Sequence, residues 1–286
     1  MYSKVIVDSH TTSKQTVFNG MNVDYIRNCW TDMGMVPHTF ELANKAVIPY
    51  LLDDMPMYLT EVKRNRADEL FRIPYLLTEA IIKAAHDPHV LEVASAILGT
   101  DELVMWGPNL QTGTPNEAYL WHTDVEAWLW PSVSVFIGLE GCLPENSTKC
   151  IPGSFRLPCQ PWFAANNTSD QATIEAARKL GESNATIQQF DGFGDGRFYV
   201  FNAKCWHAGH REISTNRKLL FIHYDKASNY RMPYMKNYIE RTWFDYPAIY
   251  IPVNHENESF YVNRKPHSID GKNYNGVLPE GFQFID

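Results

Sequence analysis

The spacing of apolar positions changes twice along the chain. Over roughly residues 1–100 it is helical. Val23, Ile26, Trp30 and Met33 recur every three or four residues and predict an amphipathic helix ending near Gly34. After Pro74, Thr78 is placed to cap a second helix whose apolar face is Ile81, Ile82 and Ala85. A third is predicted from about His89 to Leu98, with Gly99 as its stop. Between roughly 101 and 226 the period shortens. Ser132 to Leu139, Arg197 to Phe201 and Lys218 to Tyr224 are rich in strand formers, and Asp170 to Leu180 reads as a helix inserted between strands. Turn signals at Ile151-Pro152-Gly153-Ser154 and Gly192 to Gly196 separate these strands, which predicts a sandwich or barrel. From 227 to 286 the chain is polar and aromatic, with scattered prolines and too few clustered aliphatics for a core of its own. That segment is expected to wrap the barrel or pack on a second subunit. No repeat or linker interrupts the sequence. A single domain over 1–286 is therefore expected, with a mostly helical part (1–100), a β core (101–226) and a C-terminal extension (227–286).

Composition narrows the classes of partner. Fifteen Tyr, fifteen Phe and eight Trp supply the burial that ordering requires. The net charge is −8, and the densest basic cluster, Lys63-Arg64-Asn65-Arg66, is followed at once by Asp68 and Glu69. It reads as a solvated face, so no nucleic-acid partner is expected. No stretch approaches the roughly 20 apolar residues of a membrane helix. Met1 to Ser13 mixes Lys4, Asp8 and His10 among its apolar residues and lacks the apolar run of a secretory signal. The five cysteines include no CxxC pair, which fits free thiols in a reducing compartment; a cytoplasmic location is expected.

Candidate chemistry lies with the histidines. Ten histidines and 33 acidic residues make about one His-x-Asp/Glu expected by chance. There are three: His122-Thr123-Asp124, His210-Arg211-Glu212 and His223-Tyr224-Asp225. Context separates them. Tyr119 to Val125 reads as a strand, on which residues two apart share a face, so His122 and Asp124 would both project inward. Two histidines and a carboxylate on one face leave metal positions open for an organic acid and O₂, as in non-haem Fe(II) oxygenases. His207, after the strand Arg197 to Phe201, is the preferred third ligand, and His210 is its competitor. Arg217 follows ten residues after His207. Period two places Leu219, Phe221 and His223 on its face. A guanidinium inside a barrel needs an anion, and a dicarboxylate would supply one.

These residues, in this order, resemble the phytanoyl-CoA dioxygenase family of Fe(II)/2-oxoglutarate-dependent oxygenases. Trp121-His122-Thr123-Asp124-Val125-Glu126-Ala127-Trp128 is especially similar to the corresponding segment of the ectoine hydroxylases within it. The Ile151 to Ser154 turn, and Gly194-Asp195-Gly196 followed by a strand, His207 and Arg217, complete the pattern over roughly 103–224, under half the chain. The resemblance implies a mainly β fold with flanking helices around a double-stranded β-helix (jelly-roll or cupin-like) core. It implies Fe(II) held by His122, Asp124 and His207, the far carboxylate of 2-oxoglutarate held by Arg217, and O₂ as co-substrate. By the same resemblance, Asn109, thirteen residues before His122, and Trp128 lie at the cosubstrate. Gln111 is a candidate substrate contact, against its bland reading as a polar loop residue.

A carboxylate at Asp124, where related halogenases carry a small residue, points to hydroxylation or a similar oxidation. The expected substrate is a small molecule of specialised metabolism, and the expected assembly a monomer or homodimer. Phe155 departs from the family, which commonly has His after the turn; that change is expected to alter surface or substrate contacts. His223, Asp225 and Cys205 read as structural, as do Trp106, Trp121 and Trp130. Two other readings are a cupin-like dioxygenase or isomerase that does not use 2-oxoglutarate, and a non-catalytic barrel that binds ligands without metal.

Overall fold

In the computed structural model the described residues are 17–18, 21–65, 78–112, 120–124, 132–165, 169–209, 217–226, 247–252, 260–263 and 282–284. In chain order the elements begin with β1 (Val17–Phe18), β2 (Met21–Asn22), α1 (Val23–Met33), β3 (Phe40–Glu41) and α2 (Val47–Asn65). The helices α3 (Glu79–Ala85) and α4 (Pro88–Leu98) follow, then β4 (Glu102–Thr112), β5 (Val133–Glu140) and β6 (Lys149–Cys150). After α5 (Pro161–Ala164) and α6 (Asp170–Lys179) come β7 (Arg197–Asn202), β8 (His207–Ala208) and β9 (Lys218–Lys226). The last strands are β10 (Pro247–Pro252), β11 (Phe260–Asn263) and β12 (Phe282–Phe284).

The helices begin and stop where their chemistry dictates. Asn22 caps α1 by accepting from Asp24 N at 2.7 Å, and Gly34 ends it with φ of 70°. Thr78 caps α3, as predicted. Asp87 caps α4 and also accepts from the amides of Ala43 and Asn44 at 3.2 and 2.9 Å, tying the chain before α2 to the start of α4. A side chain at Gly34 would collide with the Phe155 ring (2.5 Å) and Cys205 Sγ (2.7 Å). Phe155 therefore packs under the end of α1, in contact with the Met35, Phe190 and Tyr199 cluster, and its departure from the family pattern is taken up in core packing.

One eight-stranded sheet runs in the order β12-β11-β10-β4-β9-β5-β7-β3, antiparallel except between β11 and β12. A second, smaller ladder pairs β6 with β8 and is widened by antiparallel bridges from His207 to His122 and from Cys150 to Gln188. Alternation sorts the main strands. Val133, Val135 and Ile137 of β5, Phe198 and Val200 of β7, and Leu220, Ile222 and Tyr224 of β9 face a cluster with Ile26, Leu51, Met55, Ile81, Val90 and Ala94 of the helices. Each such side chain contributes roughly 1.5–3 kcal/mol by leaving water. The opposite face carries Ser134, Phe136, Tyr199, Phe201, Phe221 and His223, and turns toward the smaller ladder.

Three differences from the sequence reading stand out. Residues 120–124 are not a regular strand: His122 is held by a single bridge to His207, while residues 119 and 125 lie outside the described residues. The burial alternation survives, with Trp121 and Thr123 buried and His122 and Asp124 half-buried. Second, the C-terminal segment supplies strands: β10 pairs with β4 and carries β11 and β12 outward. Its strand formers, Ala-Ile-Tyr-Ile and Phe-Tyr-Val, are short runs between polar and Pro-containing stretches, which hides them from a periodicity reading. Third, the longest strand, β4, was not anticipated, because Gly107-Pro108 in its middle reads as a breaker. There the register slips so that Gly107 and Pro108 together stand against Ile222, a bulge with Gly107 at φ of 54°. No helix among the described residues is long and apolar enough to cross a membrane.

Candidate metal centre

The Ile151 to Ser154 turn anchors one side of the centre. Ser154 Oγ accepts from Trp206 N at 2.8 Å, and Ile151 N donates to Trp206 O at 3.0 Å, which fixes the residue before His207. Trp206 and Trp121 are both buried, and Trp121 Nε1 donates to Asp170 at 3.0 Å. With the two indoles turned into that core, alternation turns His122 and His207 the other way. Their backbones are reciprocally bonded, His122 N to His207 O and His207 N to His122 O, both at 2.9 Å. Asp124 N donates to Ala203 O at 3.0 Å, which holds the third residue beside them.

The side chains converge accordingly. His122 Nε2 and His207 Nε2 lie 3.9 and 3.7 Å from the same oxygen, Asp124 Oδ1. One donor atom from each of the three residues falls within a span of 4.8 Å. His122 Nδ1 donates to Leu120 O at 2.6 Å and His207 Nδ1 to Cys205 O at 2.8 Å. Those bonds put the ring protons on Nδ1 and leave the Nε2 lone pairs aimed at the shared carboxylate. Burial, and then the neighbouring His122, hold His207 well below the ordinary histidine range. A neutral imidazole is what a metal requires. The residues thus fit a divalent ion in donor type, tautomer and placement, and among the described residues this is the one cluster that does.

Arg217 enters β9 on the inner side. Its guanidinium donates to Asn146 O, and it draws down the pKa of buried Tyr199 and Cys142, although burial still raises the first and pushes the second up to about 12. Among the described residues no carboxylate pairs with it. Asn109 stands directly across from Phe221, which puts both on one face. It is fully buried, its Oδ1 accepts from Tyr58 at 2.9 Å, and among the described residues its Nδ2 has no partner. Gln111 pairs with Leu219 on the same face and is half-buried. Trp128 and His210, like Trp130 and the side chain of Trp106, lie outside the described residues.

A strip of rings continues the inner face from the histidines. His207 lies tilted against Phe201 (4.9 Å between centroids), Phe201 tilted against Phe136 (5.2 Å), Phe136 stacked on Phe221 (5.4 Å) and Phe221 edge-on to His223 (5.5 Å). Ser134 Oγ lies 3.0 Å from His223 Nδ1. Sequence reasoning put His223 on this face as a structural residue, lining the pocket or ending the strand, and did not single out Ser134, Phe136 or Tyr58. A serine within an otherwise apolar strand was the available signal for Ser134; Tyr58 gave none.

No protein-family model matches the chain, and no curated protein matches its sequence. Solved structures do match its fold. EctD from S. alaskensis with bound Fe superposes with a TM-score of 0.53 at 17% identity, over 80% of this chain and 81% of EctD. The epimerase SnoN, in complex with Fe³⁺, 2-oxoglutarate and nogalamycin RO, gives 0.52 at 16% identity over 92% and 96%. The non-haem monooxygenase ThoJ, as its Ni complex, gives 0.52 at 16% over 91% and 88%. The chain therefore shares the fold of non-haem, 2-oxoglutarate-linked enzymes, in line with the family resemblance of its motifs.

Proposed function

We propose that the chain is a single-domain Fe(II)- and 2-oxoglutarate-dependent oxygenase with a double-stranded β-helix core, acting on a C–H bond of a small molecule. The observation that carries the reading is the convergence of His122, Asp124 and His207 on one point, with both imidazoles presenting Nε2. Two imidazoles and one carboxylate would hold Fe(II) and leave positions open. Bound iron would supply oxidative decarboxylation of 2-oxoglutarate by O₂, giving succinate and CO₂ with one oxygen atom available to the substrate.

The chain's own residues do the rest. Arg217, which among the described residues has a carbonyl and no carboxylate for its charge, would take the far carboxylate of 2-oxoglutarate. Asn109, whose buried amide N–H is unanswered among the described residues, would donate to the same molecule, and the resemblance assigns Trp128 to the same cosubstrate. Half-buried Phe136 and Phe221 would give the reacting space an apolar floor that excludes water, with Gln111 beside the substrate. SnoN carries nogalamycin RO in its complex, which supports a small molecule as the kind of substrate for this floor. The carboxylate of Asp124 completes the ligand set, which favours hydroxylation over halogenation.

The test is succinate formation by anaerobically prepared protein given Fe(II), 2-oxoglutarate and then O₂. Succinate from wild type, and none from His207→Ala or Arg217→Ala, is the expected result. Iron bound normally with 2-oxoglutarate untouched, in the presence of candidate substrates, would overturn it in favour of a metalloenzyme with no such cosubstrate. Absence of iron binding would favour a binding protein.

A further inference from the structure

We infer that Tyr58, from the N-terminal helix α2, is a positioning residue for the cosubstrate: it holds the Asn109 carboxamide so that its amino group, not its oxygen, faces the reacting space. The inference rests on the reading of Asn109 given above. Asn109 follows the Gly107-Pro108 bulge, which returns the strand to register with Phe221 on the inner face. β10 pairs with β4 only from Glu102 to Met105, and Tyr58 meets Asn109 in the stretch past the bulge. The phenol donates to Oδ1 at 2.9 Å, and both residues are fully buried. Burial raises the Tyr58 pKa, so the hydroxyl keeps the proton that it donates to Oδ1.

An asparagine amide can turn over at little cost unless one end is claimed. With Oδ1 claimed by a hydroxyl, Nδ2 is the end left facing away, and among the described residues it is a buried donor without a partner. A buried donor left unanswered has given up its hydration for nothing. A carboxylate or keto oxygen placed there would recover that loss. The opposite amide orientation would present an acceptor to an anionic ligand and repel it. Tyr58 thereby links the helical layer to ligand affinity without touching the ligand.

The measurement is calorimetric binding of 2-oxoglutarate to Mn(II)-loaded protein, for wild type, Tyr58→Phe, Asn109→Ala, the double variant, Asn109→Asp and Arg217→Ala, each checked for an intact unfolding transition. Tyr58→Phe should weaken binding about tenfold, the loss of one aligned hydrogen bond to a charged ligand. Asn109→Ala should weaken it by at least as much, and adding Tyr58→Phe to it should change nothing further. Asn109→Asp, which still accepts from Tyr58 but cannot donate, should bind no better than Asn109→Ala. Wild-type affinity in Tyr58→Phe or Asn109→Asp, or independent losses that multiply in the double variant, would overturn the inference. If Asn109→Ala binds normally while Arg217→Ala does not, Tyr58 has no such role although the cosubstrate reading stands. If Arg217→Ala also binds normally, the cosubstrate reading itself falls.

Discussion

The two faces of the main sheet are built from alternate residues of the same strands, and they differ in kind. The helix-covered face is mainly aliphatic: Val133, Val135, Leu220 and Ile222 meet Leu51, Met55, Ile81 and Val90. The inner face mixes aromatic and polar side chains, with Ser134 bonded to His223 and, among the described residues, Asn109 bearing an unanswered amide and Arg217 lacking a carboxylate. The first face gains stability by excluding water. The second keeps polar groups whose interactions are incomplete, which is expensive in a core and sensible in a pocket. Period-two alternation lets one strand do both tasks without compromise.

The largest break in this comparison is expected at Asp124. Asp124→Ala should abolish stoichiometric Fe(II) binding and lower turnover about a thousandfold or more. The thermal midpoint of the metal-free protein should move by less than about 3 °C, since the residue is half-buried and carries no core packing. A large fall in that midpoint would make it a structural residue. Adjacent residues of β9 sharpen the contrast. Leu220→Ala, on the helix side, should cost about 2–5 kcal/mol in urea unfolding while leaving 2-oxoglutarate affinity within about twofold. Phe221→Ala, one position away but half-buried on the inner face, should cost about half as much stability and yet change the ratio of succinate to oxidised product. Equal losses of stability with unchanged coupling would erase the distinction between faces.

The smallest effect concerns protons on the helical side. His86, at the end of α3, is held below its ordinary value of 6.5 by burial, against the opposing pull of the Ile82 carbonyl. The unfolded chain takes up a proton there as pH falls through 6.5 while the folded chain still refuses it, so stability declines on acidification from that point toward the depressed folded pKa. Above 6.5 this group contributes no slope. His86→Gln should flatten the fall in urea midpoint between about pH 7 and 5.5 without removing it, because His207 is depressed in the same direction. An unaltered slope would clear His86 of the effect.

How legible this was depended on whether a feature is local. The caps at Thr78 and Gly34, the helix from Asp170, and the alternation from Arg217 through His223 each depend on a few consecutive residues, and each was readable. The pairing of His122 with His207 across 85 positions came from donor chemistry and motif order, and the structure brings the two rings to 4.2 Å. What escaped depends on register or distant contacts. β4 is disguised by its bulge, and β10 to β12 gain meaning only as additions to an existing edge. Tyr58 is an ordinary core tyrosine until α2 packs against β4, 51 residues away.

The reciprocal backbone bonds between His122 and His207 bear on which element the protein would carry. Because the two backbones are bonded to each other and each ring is bonded to a carbonyl of the chain, the chain itself sets the cradle, and filling it would need no folding step. A ready-made nitrogen and oxygen cradle ranks first-row divalent ions by intrinsic affinity, and Fe(II) stands low in that order, below Co(II), Ni(II) and Cu(II). Selection of iron would then fall to the supply of ions around the protein, not to the protein. Material isolated over a nickel resin is expected to hold nickel and stand idle until it is stripped and reloaded.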